Sequence, residues 1–316
     1  MCAPHLVLAR PRPQLTAALL VAVALLMTLL VTAPVPARAL PADELDAPTM
    51  PADCFGPAQS SGEPTVCHYN RFRKKRPTVV LWGDSHAWMY IPALRRAVRG
   101  ERVNFTSFVA GSCPPIASTA TPDSGYSGKC ERSNVNALAY VTRLQRRGSD
   151  VRVVLGSNWS GFRIAHRKIA LEGVTGDPGY SDYTRKMVEL SHEGTPRLFT
   201  RLGRLGVDVT VIAQAATIPE RVRDCEAGND PYACTIPRWR ALPEELRTER
   251  WLGQQMAKLS GATEYLEPSA AYCNTTICAG NVGGIFTWYD PLHLSATRTR
   301  ALTSYFRPTI TGLARS

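Results

Sequence analysis

Thr78-Val-Val-Leu-Trp-Gly-Asp-Ser-His-Ala-Trp-Met-Tyr-Ile-Pro-Ala-Leu-Arg-Arg-Ala-Val98 sets the frame for the rest of the chain. Residues 79–82 form an unbroken apolar run between Pro77 and Gly83, the pattern of a short strand buried on both faces. From Ala87 onward Met89, Ala93, Leu94 and Ala97 recur at helical spacing, while Arg95, Arg96 and Arg99 fall on other faces. Gly83-Asp84-Ser85-His86 is therefore a tight strand-to-helix turn. A serine at the start of a helix lies among backbone N–H groups that have no helical partner, at the positive end of the dipole. A developing oxyanion needs such surroundings. Asp and Ser before a helix are also ordinary N-caps, so the turn alone carries two readings.

The far end of the chain separates them. Tyr289-Asp-Pro-Leu-His-Leu-Ser295 holds an Asp and a His three positions apart, directly before a helical pattern at 296–306 for which Ser295 is a suitable N-cap. A serine hydroxyl is a weak nucleophile until a base accepts its proton, and that base needs an orienting carboxylate. Ser85 as nucleophile, His293 as base and Asp290 as orienting acid complete the set. His68, His166 and His192 lack such a neighbour and are read as structural.

Between these ends, apolar runs at 79–82, 103–109, 151–155, 207–213 and 262–266 read as strands. Helical patterns at 86–98, 134–147, 183–205, 243–259 and 296–313 separate or follow them. Strands alternating with helices of this length imply an α/β fold: a mostly parallel sheet with helices on both faces. Ligands of such sheets bind beyond the carboxyl ends of the strands. The segments after the first three strands, Gly83-Asp84-Ser85, Gly111-Ser112-Cys113-Pro114-Pro115 and Gly156-Ser157-Asn158-Trp159, should gather at that edge, within reach of Asp290 and His293. Residues 40–76, rich in Pro, Ala and small polar residues, read as a linker and irregular segment, which places the folded domain at 77–316.

The leader fixes the compartment. Arg10 and Arg12 precede an apolar stretch at 15–31, and Ala37-Arg38-Ala39 follows. These are the parts of a secretory signal peptide, residues 1–39, cut after Ala39; a retained anchor is the alternative, since the stretch approaches spanning length. Either way the domain lies outside the cytoplasm. Loss of Arg10, Arg12 and Arg38 lowers the net charge from +11 to +8, and in an exported protein this surplus does not point to nucleic acid. Of nine cysteines one is in the leader, so eight remain. Export and an even count suggest disulfides. Eight cysteines allow about 105 pairings, among which sequence neighbours are expected: Cys54–Cys67, Cys113–Cys130, Cys225–Cys234 and Cys273–Cys278. Without a Cys-x-x-Cys or His-x-x-x-His pair, no metal site is expected, nor any cofactor.

Gly-Asp-Ser early and Asp-x-x-His late, as they stand here, resemble the SGNH (GDSL-like) hydrolase superfamily. Gly83-Asp84-Ser85-His86-Ala87, an aromatic, then Pro92-Ala93-Leu94 is similar to the branch attached to membrane acyltransferase-3 proteins, which O-acylate cell-surface glycans. The resemblance implies a three-layer α/β/α fold with a flavodoxin-like sheet. It also implies an oxyanion hole built from the Ser85 N–H, the Gly111 N–H and the Asn158 side chain. Gly156-x-Asn158 matches the first half of the family's Gly-x-Asn-Asp block, but Trp159 stands where the acidic residue would be. Trp159, with Trp88, is then expected to offer a wall for a sugar or acyl chain. The implied activity is a secreted serine O-acyltransferase that passes a small acyl group to a cell-surface polysaccharide, with a membrane acyltransferase-3 protein as a partner in trans. A carbohydrate O-acetyl esterase with the same triad and a catalytically silent glycan-binding module are the alternatives.

Overall fold

The computed structural model describes residues 46–49, 54, 66–118, 126–163, 178–218 and 234–315. The expected leader, Cys225 and His166 lie outside them. Among the described residues no helix is long and apolar enough to cross a membrane.

The main sheet has six strands: β1 (Cys67–His68), β2 (Thr78–Gly83), β3 (Asn104–Val109), β4 (Val151–Gly156), β5 (Asp208–Ile212) and β6 (Thr263–Leu266), in the spatial order β1-β3-β2-β4-β5-β6. All neighbours from β3 to β6 pair in parallel, and only β1 runs antiparallel, on the edge. Without β1 the order is that of a flavodoxin-like, doubly wound sheet. All six residues of β2 are buried, as a central parallel strand covered on both faces requires.

Alternation along β2 divides the core. Val79 and Leu81 face one layer of helices, which includes α2 (Ile91–Ala97), α7 (Ala296–Ala301) and α8 (Thr303–Arg315). Val80 and Trp82 face the other, with α3 (Tyr126–Arg146), α5 (Pro178–Leu205) and α6 (Glu245–Met256). The short helices α1 (Ser85–Trp88) and α4 (Trp159–Arg163) follow β2 and β4 directly.

Five strands fall where the apolar runs place them. The helices differ more. The single helix expected at 86–98 is two, because Pro92, which has no N–H to donate, is suited to the first turn of a new helix starting at Ile91. The pattern at 296–313 likewise divides at Leu302. The segment 40–76 is not all linker. Cys67 and His68 pair with Ser107 and Thr106 of β3, and Asp46 accepts from the N–H groups of Ala296 and Thr297 at the start of α7 (2.6 and 2.9 Å). Disulfides join Cys54 to Cys67, Cys113 to Cys130 and Cys273 to Cys278, and Cys234 is disulfide-bonded as well.

Candidate active site

The parallel register aligns the strand ends. Gly83 pairs with Val109 on one side and Gly156 on the other, and Leu155 pairs with Val211, which brings Ile212 into the same row. Ser85, Gly111, Asn158 and Gln214 each stand two residues beyond a member of that row. One geometric rule thus brings four polar residues from four strands to one edge.

The crossing at Gly83 is close. A Cβ on Gly83 would lie 1.7 Å from the Gly156 carbonyl oxygen and 3.0 Å from the Ala87 Cβ, and the backbone there has φ +153°. Only glycine lets the chain turn so close to β4. Asp84 then caps α1, its Oδ1 accepting from the His86 N–H at 2.7 Å. Its Oδ2 accepts from the Ser157 hydroxyl (2.6 Å) and the Asn158 N–H (2.8 Å). Asp84 is therefore more than the helix cap suggested by its position, since one buried carboxylate joins the Ser85 turn to the Asn158 turn.

His293 Nε2 lies 2.7 Å from Ser85 Oγ, and His293 Nδ1 lies 2.7 and 2.9 Å from the two oxygens of Asp290. The loop that carries them is fixed from several sides. Asp290 Oδ1 accepts from the N–H groups of Leu292 and His293 (2.7 and 2.8 Å), the Ile218 N–H donates to the Pro291 carbonyl (2.8 Å), and the Trp288 Nε1–H donates to the Ala216 carbonyl (2.8 Å). Ser295 caps α7 through the Arg298 N–H, at the position expected. Burial raises the Asp290 carboxyl, but the bonds and charge of His293 and the two backbone N–H groups outweigh it, so the net shift is downward. An ionised Asp290 only accepts hydrogen bonds, so the imidazole proton resides on Nδ1 and the Nε2 lone pair faces Ser85.

Three donors lie along the same edge. The N–H of Ser85, first residue of α1, has no acceptor within its helix, and neither it nor the Gly111 N–H bonds to any described residue. The Asn158 side chain is oriented by its oxygen, which accepts from the Gly161 N–H (3.2 Å) and Gln214 Nε2 (3.4 Å). This leaves Nδ2 as the outward donor. Gln214 also accepts from the Ser160 N–H at 2.9 Å. Sequence reading missed Gln214 and the bridging role of Asp84. The two-residue offset from the strand ends is the signal that finds Gln214, whereas the bonds of Asp84 exist only after folding.

Gly161 keeps this amide in place. A Cβ there would come within 2.6 to 2.9 Å of the Asn158 amide atoms. Gly161→Ala is expected to displace Asn158 and lower kcat for an acetyl ester by about 10- to 100-fold, toward the cost of losing one oxyanion donor, with KM little changed. Gly253→Ala, in α6 with nothing within 4 Å of the added carbon, is the control and should leave kcat alone.

The aromatic residues divide. Trp88, half-buried, meets the His293 ring edge-on at 6.1 Å and stays beside the site. Trp159 is 2 % exposed, donates to the Ile212 carbonyl at 2.8 Å and packs at 6.4 Å from Trp251. The expected sugar platform at Trp159 is therefore a core residue. It also lines a cavity of about 270 Å3 together with Phe162 and Trp251. His86, left without a role by the sequence, is buried with both ring nitrogens lacking a partner among the described residues, its ring centroid 5.4 Å from that of His293. Burial, then the charge of His293, lowers its pKa to about 3, so it stays neutral beside His293.

Acid stability gives a second check. Burial pushes the Asp84 carboxyl from 3.8 up to about 6, against the opposing pull of its three hydrogen-bond donors and His293. The folded state then holds this proton over a pH range where the unfolded chain has lost it, so the contribution to stability is greatest in acid and declines as pH rises through that window. The Tm of wild type relative to Asp84→Asn should fall between about pH 4 and 6 and level off above. A flat difference would exclude a raised Asp84 pKa.

A family model described as "SGNH domain (fused to AT3 domains)" matches residues 53–308. No curated protein matches the chain. Among solved structures, the periplasmic domain of the lipopolysaccharide acetyltransferase of Salmonella ser. Paratyphi A aligns with a TM-score of 0.52 at 15% identity, covering 76% of this chain and 85% of that one. A carbohydrate acetylesterase family member from Sinorhizobium meliloti aligns at 13% identity over 76% of this chain and 100% of its own, with a TM-score of 0.34. The first shares the fold with this chain, and the second is too distant in shape to carry an argument.

Proposed function

This chain belongs to the SGNH domain family, and from that membership we propose that it is a serine O-acyltransferase of the cell envelope, acting on a glycan outside the cytoplasm. The observation that carries the reading is the unbroken hydrogen-bonded line from Ser85 through His293 to Asp290. Ser85 Oγ attacks the ester carbonyl carbon while His293 Nε2 takes its proton, and Asp290 stabilises the imidazolium. The tetrahedral oxygen receives hydrogen bonds from the N–H groups of Ser85 and Gly111 and from Asn158 Nδ2. As the bond to the leaving oxygen breaks, His293 returns the proton to that oxygen and the acyl group remains on Ser85. A glycan hydroxyl then gives its proton to His293 and attacks the acyl carbon. The Ser85 ester bond breaks, and the proton goes back to Ser85. A neutral His86 adds no second positive charge next to the imidazolium.

If water takes the place of the glycan hydroxyl, the same groups make an O-acetyl esterase. The openness of the loop favours keeping this reading, since the Asp290 side chain is 33 % exposed and water reaches the site. A silent glycan-binding module has no use for the complete proton path. A membrane acyltransferase-3 protein in trans would supply the acyl group, in keeping with the family's usual fusion.

The test follows acetyl from 4-nitrophenyl acetate in the presence of increasing envelope polysaccharide. Nitrophenol release matched by acetylated polymer identifies a transferase. Release matched by free acetate at every polymer concentration identifies an esterase, and no release from the folded, oxidised protein rejects both.

A further inference from the structure

A groove of about 510 Å3 lies on the helical layer formed by α3 and α5, with an apolar floor that includes Val135 and Leu138 and a rim of Arg143, Arg146, Arg147 and Arg201. The four arginines are exposed, and none has an acidic partner among the described residues; Arg143 only leans on the Tyr140 ring, 5.4 Å from its centroid. Some arginines elsewhere are paired: Arg152 meets Asp208 at 2.8 Å, and Arg238 meets Glu245 and Glu267.

Arg143, Arg146 and Arg147 stand at i, i+3 and i+4, where like charges repel. Helix dipoles favour basic residues near C-terminal ends, but a dipole does not decide which side of a helix they occupy. Here residues of two helices line one cavity, over a floor where Val135 remains 47 % exposed. All four are arginines, whose planar forks take carboxylate or phosphate oxygens in pairs. The surface is concave, which suits a chain laid along it rather than a flat bilayer. Its upper wall, Ile116 and Ala117, belongs to the segment that follows Gly111 from the end of β3, so a chain in the groove leads toward the edge that carries Ser85.

We propose that this groove binds an anionic stretch of the acceptor polysaccharide and holds it while a sugar hydroxyl further along the same chain reaches Ser85. The proposal rests on the reading of the acceptor as a glycan and names its charge. Binding is measured apart from catalysis, on the full chain carrying Ser85→Ala, with fluorescent polygalacturonate oligomers as the probe and dextran as the neutral control. Arg143→Gln, Arg146→Gln, Arg147→Gln and Arg201→Gln combined should weaken polygalacturonate binding at least 10-fold. The same loss of charge at exposed Arg71, Arg99, Arg300 and Arg307 should change it less than 2-fold. In an otherwise wild-type chain the groove variant should still turn over 4-nitrophenyl acetate at the wild-type rate.

Equal weakening by both sets would mean net charge alone and would overturn the proposal, as would absence of polygalacturonate binding. Groove-dependent binding to phosphatidylglycerol vesicles, with polygalacturonate binding unmoved, would assign the face to a membrane and overturn it too. Polygalacturonate binding lost in the groove variant, in a protein whose wild type turns over no ester, would retain the groove and reject the enzyme.

Discussion

Ser85→Ala is expected to lower turnover of a small acetyl ester by about 10^4-fold or more, the scale on which loss of a triad nucleophile is felt, with the thermal midpoint almost unchanged. The small effect on stability follows from what the hydroxyl touches. Among the described residues Ser85 Oγ bonds only to His293 Nε2, while the fold of the turn depends on Asp84, Gly83 and backbone groups that alanine preserves. A fluorophosphonate should label wild type on Ser85 alone. His293→Ala should label far more slowly, because the hydroxyl then keeps its proton. Because residues that act as a unit are not additive, the double variant should be about as impaired as either single one. Labelling elsewhere, or equal turnover in wild type and Ser85→Ala, would remove Ser85 from the mechanism.

Gly83→Ala should do the reverse, destroying the fold and with it the activity. The added carbon would sit 1.7 Å from the Gly156 carbonyl oxygen, inside any permitted contact. β2 and β4 would have to separate at the centre of the sheet, where both strand ends are buried. A cost of more than about 4 kcal/mol places this among the rare severe substitutions, enough to leave little folded material in a soluble extract. Gly100→Ala isolates the backbone contribution. Its φ is +86° with nothing within 4 Å of the new carbon, so a loss of about 1 kcal/mol, read from urea unfolding, is expected. Comparable losses at the two positions would mean that the approach of β4 is not what requires glycine at 83.

β2 and β4 were legible in the sequence because they are buried on both faces almost throughout and so appear as apolar runs, whereas β6, partly exposed, shows only a short one. Helix limits were less so. Pro92 starts a helix within a pattern that reads as one, and the edge strand at Cys67 and His68 is too short for any period to show. For the site, Ser85, His293 and Asp290 were visible as residue types in a known order. Asn158 and Gln214 become predictable once the strand ends are counted, since a fixed offset in each loop brings them into one row. Trp159 is a different case. Nothing local distinguishes an indole facing a sugar from one donating to the Ile212 carbonyl, because that carbonyl and Trp251 come from distant parts of the chain. Arg298 shows the same limit. It reads as a solvated helix residue but is 4 % exposed, with its guanidinium donating to the carbonyls of Val282 and Ile285.

Ser85 and His293 are separated by 208 positions. A chain emerging from the ribosome exposes its serine long before the imidazole it pairs with exists, and the two meet only once the loop before the last helices has docked. The Ser85–His293 hydrogen bond is thus among the last that synthesis makes available, and a product that stops short of residue 293 lacks it however well its sheet forms.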